Sequence, residues 1–216
     1  MDGRVLPLTK FLNPLVRLIA AAGFLTIALP LAAQQVPLEI EGLPNEAPRV
    51  GTVITVDLAT NQAYLFEDGQ LIRKSKAATG SDKILRQGRK VWWFRTPRGR
   101  HQVVRKITDP VWTKPDWAFV EEGKAIPPLG DPSRQQRGKL GKYALDLGEG
   151  ILLHGTDDPK SIGRKASHGC IRLPNDMLAA VYQRAAVGTE VYLFESRLSD
   201  DSMASKGRND LEMVME

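Results

Sequence analysis

Cysteine occurs once in the 216 residues, at position 170. A lone thiol excludes an internal disulfide framework, and it excludes a zinc site built on cysteine pairs. Histidine is almost as scarce, with three residues, His101, His154 and His168. No run of basic residues marks a nucleic-acid partner: 30 Lys and Arg stand against 25 Asp and Glu, a net charge of +5. That mild excess reads as a solvated, slightly basic surface, so no nucleic acid is expected. Internal repeats are also lacking. A hydrophobic fraction of 42% over this length implies one ordinary globular domain with appendages.

The N-terminus is a different kind of sequence. Arg4, Lys10 and Arg17 precede an apolar run from Leu18 to Ala33, broken by Gly23, Thr26 and Pro30. Its core falls short of the roughly 20 residues that span a bilayer comfortably. A positive start, a short apolar core and small residues at Ala32-Ala33 match a secretory signal over residues 1–33, with cleavage expected after Ala33. A retained anchor, associating the chain with the inner membrane, is the alternative. Residues 34–49 carry three prolines and no periodicity, and read as a linker.

From residue 50 the pattern sharpens. Ile54, Val56 and Leu58 alternate with Thr55 and Asp57, as in a half-buried strand. Asp68-Gly69 between Tyr64-Leu65-Phe66 and Leu71-Ile72 signals a hairpin, because both turn residues must tolerate positive φ. Trp92, Trp93 and Phe94 read as a core strand, with an exposed lip of a substrate groove as the alternative. Thr96-Pro97-Arg98-Gly99 has turn chemistry, and His101 to Val104 resumes a strand with His101 on the surface and no catalytic role. Residues 109–139, rich in proline, glycine and charge, read as a long loop anchored by Trp112 and Trp117. A loop of that length is often functional, for example as a lid. Residues 143–147 and 151–153 read as buried strands, the second delivering His154 at its end. Asn175 is expected to cap a helix carrying Leu178, Val181, Tyr182 and Ala185, with Gly188 as its stop. Residues 191–194 close the fold, and the polar tail 196–216 is expected to be disordered. The expected fold class is mainly β over residues 50–195, with one clear helix after Cys170.

The stretch from His154 to Leu173 holds two of the three histidines and the only cysteine. Export makes an unpaired thiol unusual. A thiol becomes a good nucleophile when ionised, and an imidazole in reach can take its proton, leaving a thiolate–imidazolium pair. His168 lies two residues from Cys170, but Gly169 between them suggests a tight turn. His154 sits on another strand and can approach across the site, so it is the expected general base. Backbone amides of Gly169 and Cys170 suit an oxyanion, with His168 fixing the loop or adding a donor. Arg172 can pair with a substrate carboxylate, or form a salt bridge that pins the loop. His154, His168, Cys170 and Asp157 have no usual zinc-ligand spacing, so no metal and no cofactor are expected.

The segments His154-Gly155-Thr156 and Ser167-His168-Gly169-Cys170-Ile171-Arg172-Leu173 resemble the L,D-transpeptidase catalytic domain (YkuD-type). Thr79-Gly80, Thr96-Pro97-x-Gly99, Leu140-Gly141-x-Tyr143-Ala144-Leu145 and Ser161-Ile162-Gly163 extend the likeness over residues 51–195. The resemblance implies a β-sandwich-like fold and an exported, periplasmic or envelope-facing enzyme of peptidoglycan biosynthesis and cell-wall organisation. It implies that Cys170 attacks the diaminopimelate–D-alanine bond of a peptidoglycan tetrapeptide stem, releases D-alanine and forms a thioester that an amine acceptor resolves. It also implies His154 as base, oriented by the Gly155 carbonyl, Ser167, His168 and Gly169 as its surround, and Arg172 on the substrate carboxylate. Extra basic and aromatic residues between Gly80 and Thr96 depart from the family pattern, and no wall-binding repeat accompanies the domain. Alternatives are a hydrolase of the same fold (an L,D-carboxypeptidase or a lipoprotein-releasing amidase) and a non-catalytic wall-binding module. A redox-sensing thiol would lack its resolving cysteine.

Overall fold

The computed structural model describes residues 41–196. The expected export segment (residues 1–33), residues 34–40 of the expected linker and the tail beyond Ser196 lie outside the described residues.

The chain opens with a meander, β1 (Thr52–Asp57), β2 (Gln62–Glu67) and β3 (Gln70–Lys76). Asp68 and Gly69 both adopt positive φ at the second turn, as the Asp-Gly pair requires. A short β4 (Thr79–Gly80) leads to a hairpin of β5 (Ile84–Gln87) and β6 (Lys90–Trp93). Next come β7 (Gly99–Gln102), β8 (Arg105–Thr108), β9 (Val111–Thr113), the short helix α1 (Asp116–Glu121) and β10 (Gln135–Arg137). The antiparallel pair β11 (Tyr143–Asp146) and β12 (Leu152–His154) precedes β13 (Lys165–Ser167), β14 (Ile171–Arg172), helix α2 (Asn175–Arg184) and β15 (Glu190–Phe194).

Two sheets enclose the core. One has the order β3-β2-β1-β15-β7, the other β14-β12-β11-β8. Ile54, Val56, Leu65, Val191 and Leu193 from the first meet Leu145, Leu153 and Ile171 from the second, and Met177, Leu178 and Val181 of α2 complete the cluster. This mainly β architecture with one principal helix agrees with the sequence pattern.

Five local expectations are corrected. β1 is buried on both faces, because Leu43 and Ala47 cover Val53, Tyr64, Phe66 and Tyr192 on the outer side of its sheet. Thr55 is accommodated there by donating its hydroxyl to the Gly42 carbonyl. The packed body therefore reaches N-terminally of residue 50, into the span read as linker. His101 is half-buried rather than a surface residue: it pairs with the core residue Val191, and Nε2 has no partner among the described residues. Of the three consecutive aromatics, only Phe94 is buried, while Trp93 is 57% exposed. Asn175 is the first helical residue and makes no capping bond, since Pro174 holds the cap position. The helix stops at Arg184, before Gly188, because Ala185 turns extended.

Residues 109–139 are not a bare loop. β9 pairs with β10, and α1 lies between them. Arg134, 3% exposed, organises this excursion by donating to the carbonyls of Lys114 (2.9 Å), Pro127 (2.6 Å) and Pro128 (3.1 Å) and to Asp116 Oδ1 (2.8 Å). One buried guanidinium thereby satisfies carbonyls that no ladder reaches.

Candidate active site

The register of two parallel strands assembles the site. Leu153 pairs with Ile171 and His154 with Arg172, and Leu153 and Ile171 both point into the core. Because side chains alternate along a strand, Leu152, His154, Cys170 and Arg172 share the opposite face. His154 and Cys170 are then diagonal neighbours, with Cα atoms about 8 Å apart from strand spacing and rise, within reach of an imidazole and a rotating thiol. Both line a cavity of about 670 Å³ beneath Trp112, Trp117 and Glu121 of the 109–139 excursion, which therefore roofs it.

His154 is 5% exposed, and its Nδ1–H donates to the Gly155 carbonyl. A carbonyl can only accept, so Nε2 keeps the lone pair a base needs. Gly155 is required here: a Cβ would lie 2.8 Å from Asn175 Oδ1 and 3.1 Å from the Gly141 Cα. Asn175, expected as a helix cap, instead abuts the backbone that orients the His154 ring.

Cys170 Sγ accepts from the Leu152 N–H (3.4 Å) and donates toward the Gly150 carbonyl (3.7 Å). It makes no hydrogen bond to His154 among the described residues. Burial pushes the thiol pKa up, against the opposing pull of the Leu152 amide and Arg172. Burial also lowers His154 to about 4, helped by Arg172 and resisted by the Gly155 carbonyl. Burial of both groups thus works against the thiolate–imidazolium pair expected from the sequence.

Ser167 and Gly169 shape the turn that carries Cys170. Ser167 Oγ donates to the Cys170 carbonyl (2.5 Å) and accepts from the Gly169 N–H (3.1 Å). Gly169 has φ +128°, and a Cβ there would lie 3.2 Å from the Arg95 carbonyl oxygen. Of the two amides expected to face an oxyanion, that of Gly169 is thus engaged by Ser167, and that of Cys170 has no partner among the described residues. The Cys170 N–H is the donor left for a carbonyl oxygen.

His168 points elsewhere. Its ring stacks on Trp117 (centroids 3.8 Å, 14° between planes), meets Phe94 edge-on at 4.4 Å, and donates from Nε2 to Glu121 Oε2 at 2.8 Å. Burial lowers its pKa more than the Glu121 carboxylate raises it. The geometry gives His168 the loop-fixing place, joining the Cys170 turn to Trp117 and Glu121 of α1. Arg172 exchanges backbone bonds with Ala78 (2.8 and 2.9 Å), while its guanidinium has no acidic partner among the described residues and lines the cavity. Asp157 is paired with Lys139 at 2.6 Å. Among the described residues, no group of three or more His, Cys, Asp or Glu could hold a metal ion.

Sequence reasoning missed Thr96 as a site residue. It is 4% exposed; its hydroxyl donates to the Gly169 carbonyl (2.8 Å) and accepts from the Gly80 N–H (2.8 Å). Thr96-Pro97 reads locally as a turn, and nothing near it in sequence reveals a partner 73 positions away. Trp117 and Glu121 were hidden for the same reason.

Comparison with known proteins narrows what this arrangement belongs to. A putative L,D-transpeptidase (ORF 5 of the ATP synthase subunits region) of Fuscovulum blasticum is 36% identical over 105 residues, 44% of this chain and 49% of that protein. The probable L,D-transpeptidase YbiS of Escherichia coli K12 is 34% identical over 97 residues, 44% of this chain and 31% of its own length. The putative L,D-transpeptidase YqjB of Bacillus subtilis is 28% identical over 153 residues, 70% of this chain and 76% of that protein. The matched segment thus spans half or less of the first two relatives. An L,D-transpeptidase structure from Xylanimonas cellulosilytica superposes with a TM-score of 0.51 at 21% identity, covering 70% of this chain and 63% of that one, a likeness of fold. The YkuD model, the L,D-transpeptidase catalytic domain, matches residues 51–193, the span that holds both sheets, the roof and every residue of the cavity floor, and this chain belongs to that family.

Proposed function

We propose that the protein is an exported peptidoglycan L,D-transpeptidase with Cys170 as nucleophile and His154 as general base. The reading is carried by one observation: a neutral imidazole with a free Nε2 and a thiol share one sheet face, below a roofed cavity, beside an unpartnered amide and an unpartnered guanidinium.

A tetrapeptide stem enters under the roof with a carboxylate on Arg172, in the manner of a charge-assisted pair. Substrate displaces water, the thiol rotates from Gly150 toward His154, and Nε2 takes its proton as sulfur bonds to the carbonyl carbon between diaminopimelate and D-alanine. The carbonyl oxygen becomes an oxyanion on the Cys170 N–H. His154 returns the proton to the departing D-alanine amine, and the C–N bond breaks to leave a thioester. An acceptor amine, deprotonated by His154, attacks the thioester; a new amide forms and the thiol is restored. Residues 1–33 supply export, by cleavage or as a retained anchor, which places the enzyme in the periplasm or on the envelope face of the membrane.

The test is mass analysis of products from purified disaccharide-tetrapeptide, with and without an amine acceptor. Cross-linked dimer and free D-alanine are expected from the wild type, and neither from Cys170→Ala with an unchanged unfolding midpoint. Turnover by Cys170→Ala would sink the assignment. Tripeptide alone, even with acceptor present, would make the protein a hydrolase.

A further inference from the structure

Residues 82–95 hold five basic residues, Lys83, Arg86, Arg89, Lys90 and Arg95, against one acid, Asp82. The structure puts them on or beside the β5–β6 hairpin, whose sheet has no third strand among the described residues. Its cross-strand pairs include Ile84 with Trp93 and Arg86 with Val91, so these four side chains share one face. The other face carries Leu85 and Trp92, both half-buried, and turns toward α1, where Lys90 pairs with Asp116 at 2.9 Å. The first face is uncovered: Ile84 is 54%, Val91 51% and Trp93 57% exposed. Aliphatic residues at that exposure, clustered with an aromatic, have no folding rationale on a hairpin already anchored by its opposite face.

The charges around this face are equally unspent. Asp82 is paired with Lys165, and Asp116 with Lys90 and Arg134. Lys83, Arg86 and Arg89 have no acidic partner among the described residues, and the Arg95 guanidinium sits 5.0 Å from the Trp93 ring centroid. An apolar tip bearing tryptophan and ringed by cations matches the boundary of a lipid bilayer, where aliphatic side chains enter the acyl edge, tryptophan sits at headgroup level, and Arg and Lys meet anionic phosphates. A glycan strand would use the aromatic but leave Ile84 and Val91 in water.

We propose that the Ile84–Trp93 face of the β5–β6 hairpin docks the catalytic domain on an anionic phospholipid surface. This docking is separate from any anchoring by residues 1–33, and it does not depend on the catalytic reading of the cavity. Phe94, which closes the base of the hairpin by bonds with Asp82 and Lys83, also packs on His168 and Trp117. The docked face is thereby joined to the roof of the cavity.

The test uses the full chain with vesicles of mixed phosphatidylglycerol and phosphatidylcholine, some carrying brominated acyl chains. The four tryptophans, at 92, 93, 112 and 117, all lie outside residues 1–40, so bromine quenching of their emission reports the folded domain and not the N-terminal segment. Quenching is expected in the wild type and mostly lost in Trp93→Tyr. Partitioning should weaken about fivefold per removed charge, roughly 25-fold for Arg86→Ser with Arg89→Ser, and fade at high salt. Bound protein without quenching, or undiminished binding by the double variant, would overturn the proposal and leave the membrane contact to residues 1–40. Capture by lipid-free sacculi that is lost in the same variants would overturn it in favour of the wall. Unchanged unfolding midpoints verify that the variants are folded.

Discussion

Replacing Thr96 by valine keeps the shape of a buried side chain and removes its hydroxyl. That hydroxyl links two backbone groups from distant parts of the chain, the Gly80 N–H and the Gly169 carbonyl, each at 2.8 Å. Valine leaves both groups unpaired in a buried place, since Thr96 is 4% exposed. At about 1–3 kcal/mol for each of the two orphaned groups, the expected loss is roughly 2–6 kcal/mol. For a body of this size that corresponds to a fall of roughly 5–15 °C in Tm. Thr96→Ser deletes one methyl and keeps both bonds, so its cost should stay within about 1 kcal/mol. The assay is urea unfolding of the three proteins at one pH, followed by alkylation of Cys170 in the folded state. The valine variant should lose stability and, with the turn released, change its alkylation rate; the serine variant should do neither. Equal midpoints for valine and wild type would refute the view that this hydroxyl holds the Cys170 turn.

Acid should destabilise the wild type through His154. Its folded pKa of about 4 lies below the ordinary 6.5, so the unfolded state binds the proton first. Above pH 6.5 both states are neutral there and nothing is lost; between pH 6.5 and 4 the wild type should lose up to about 3 kcal/mol relative to His154→Gln. Parallel pH-stability curves for the two proteins would contradict the buried neutral imidazole. Gly80→Ala should cost at least about 2 kcal/mol, because its Cβ would lie 2.5 Å from the Thr96 nitrogen and 2.6 Å from the Phe94 carbonyl oxygen, and backbone cannot step aside cheaply. Chemical denaturation reads this directly, and a neutral result would mean that the Gly80 and Thr96 backbones are further apart than described.

The strand pattern, the Asp68-Gly69 hairpin and the helix after Cys170 were legible in the sequence because each depends on residues a few positions apart. So was the placing of a histidine at the end of an apolar strand and of a cysteine in a glycine turn. What no local pattern could state is that Leu153 lies opposite Ile171, and this register alone sets His154 and Cys170 on one face. The 109–139 excursion read as a loop because its carbonyls are satisfied by one buried arginine, a device that leaves no periodicity. A thiol beside an imidazole suggests ions in the sequence; burial of both groups, visible only once the chain is folded, works against them. Sequence determined which residues could carry chemistry, since residue type decides what can donate, accept or attack. Tertiary structure decided which of them meet, and in what charge state, because pairing across the fold and exclusion of water are properties of packed surfaces.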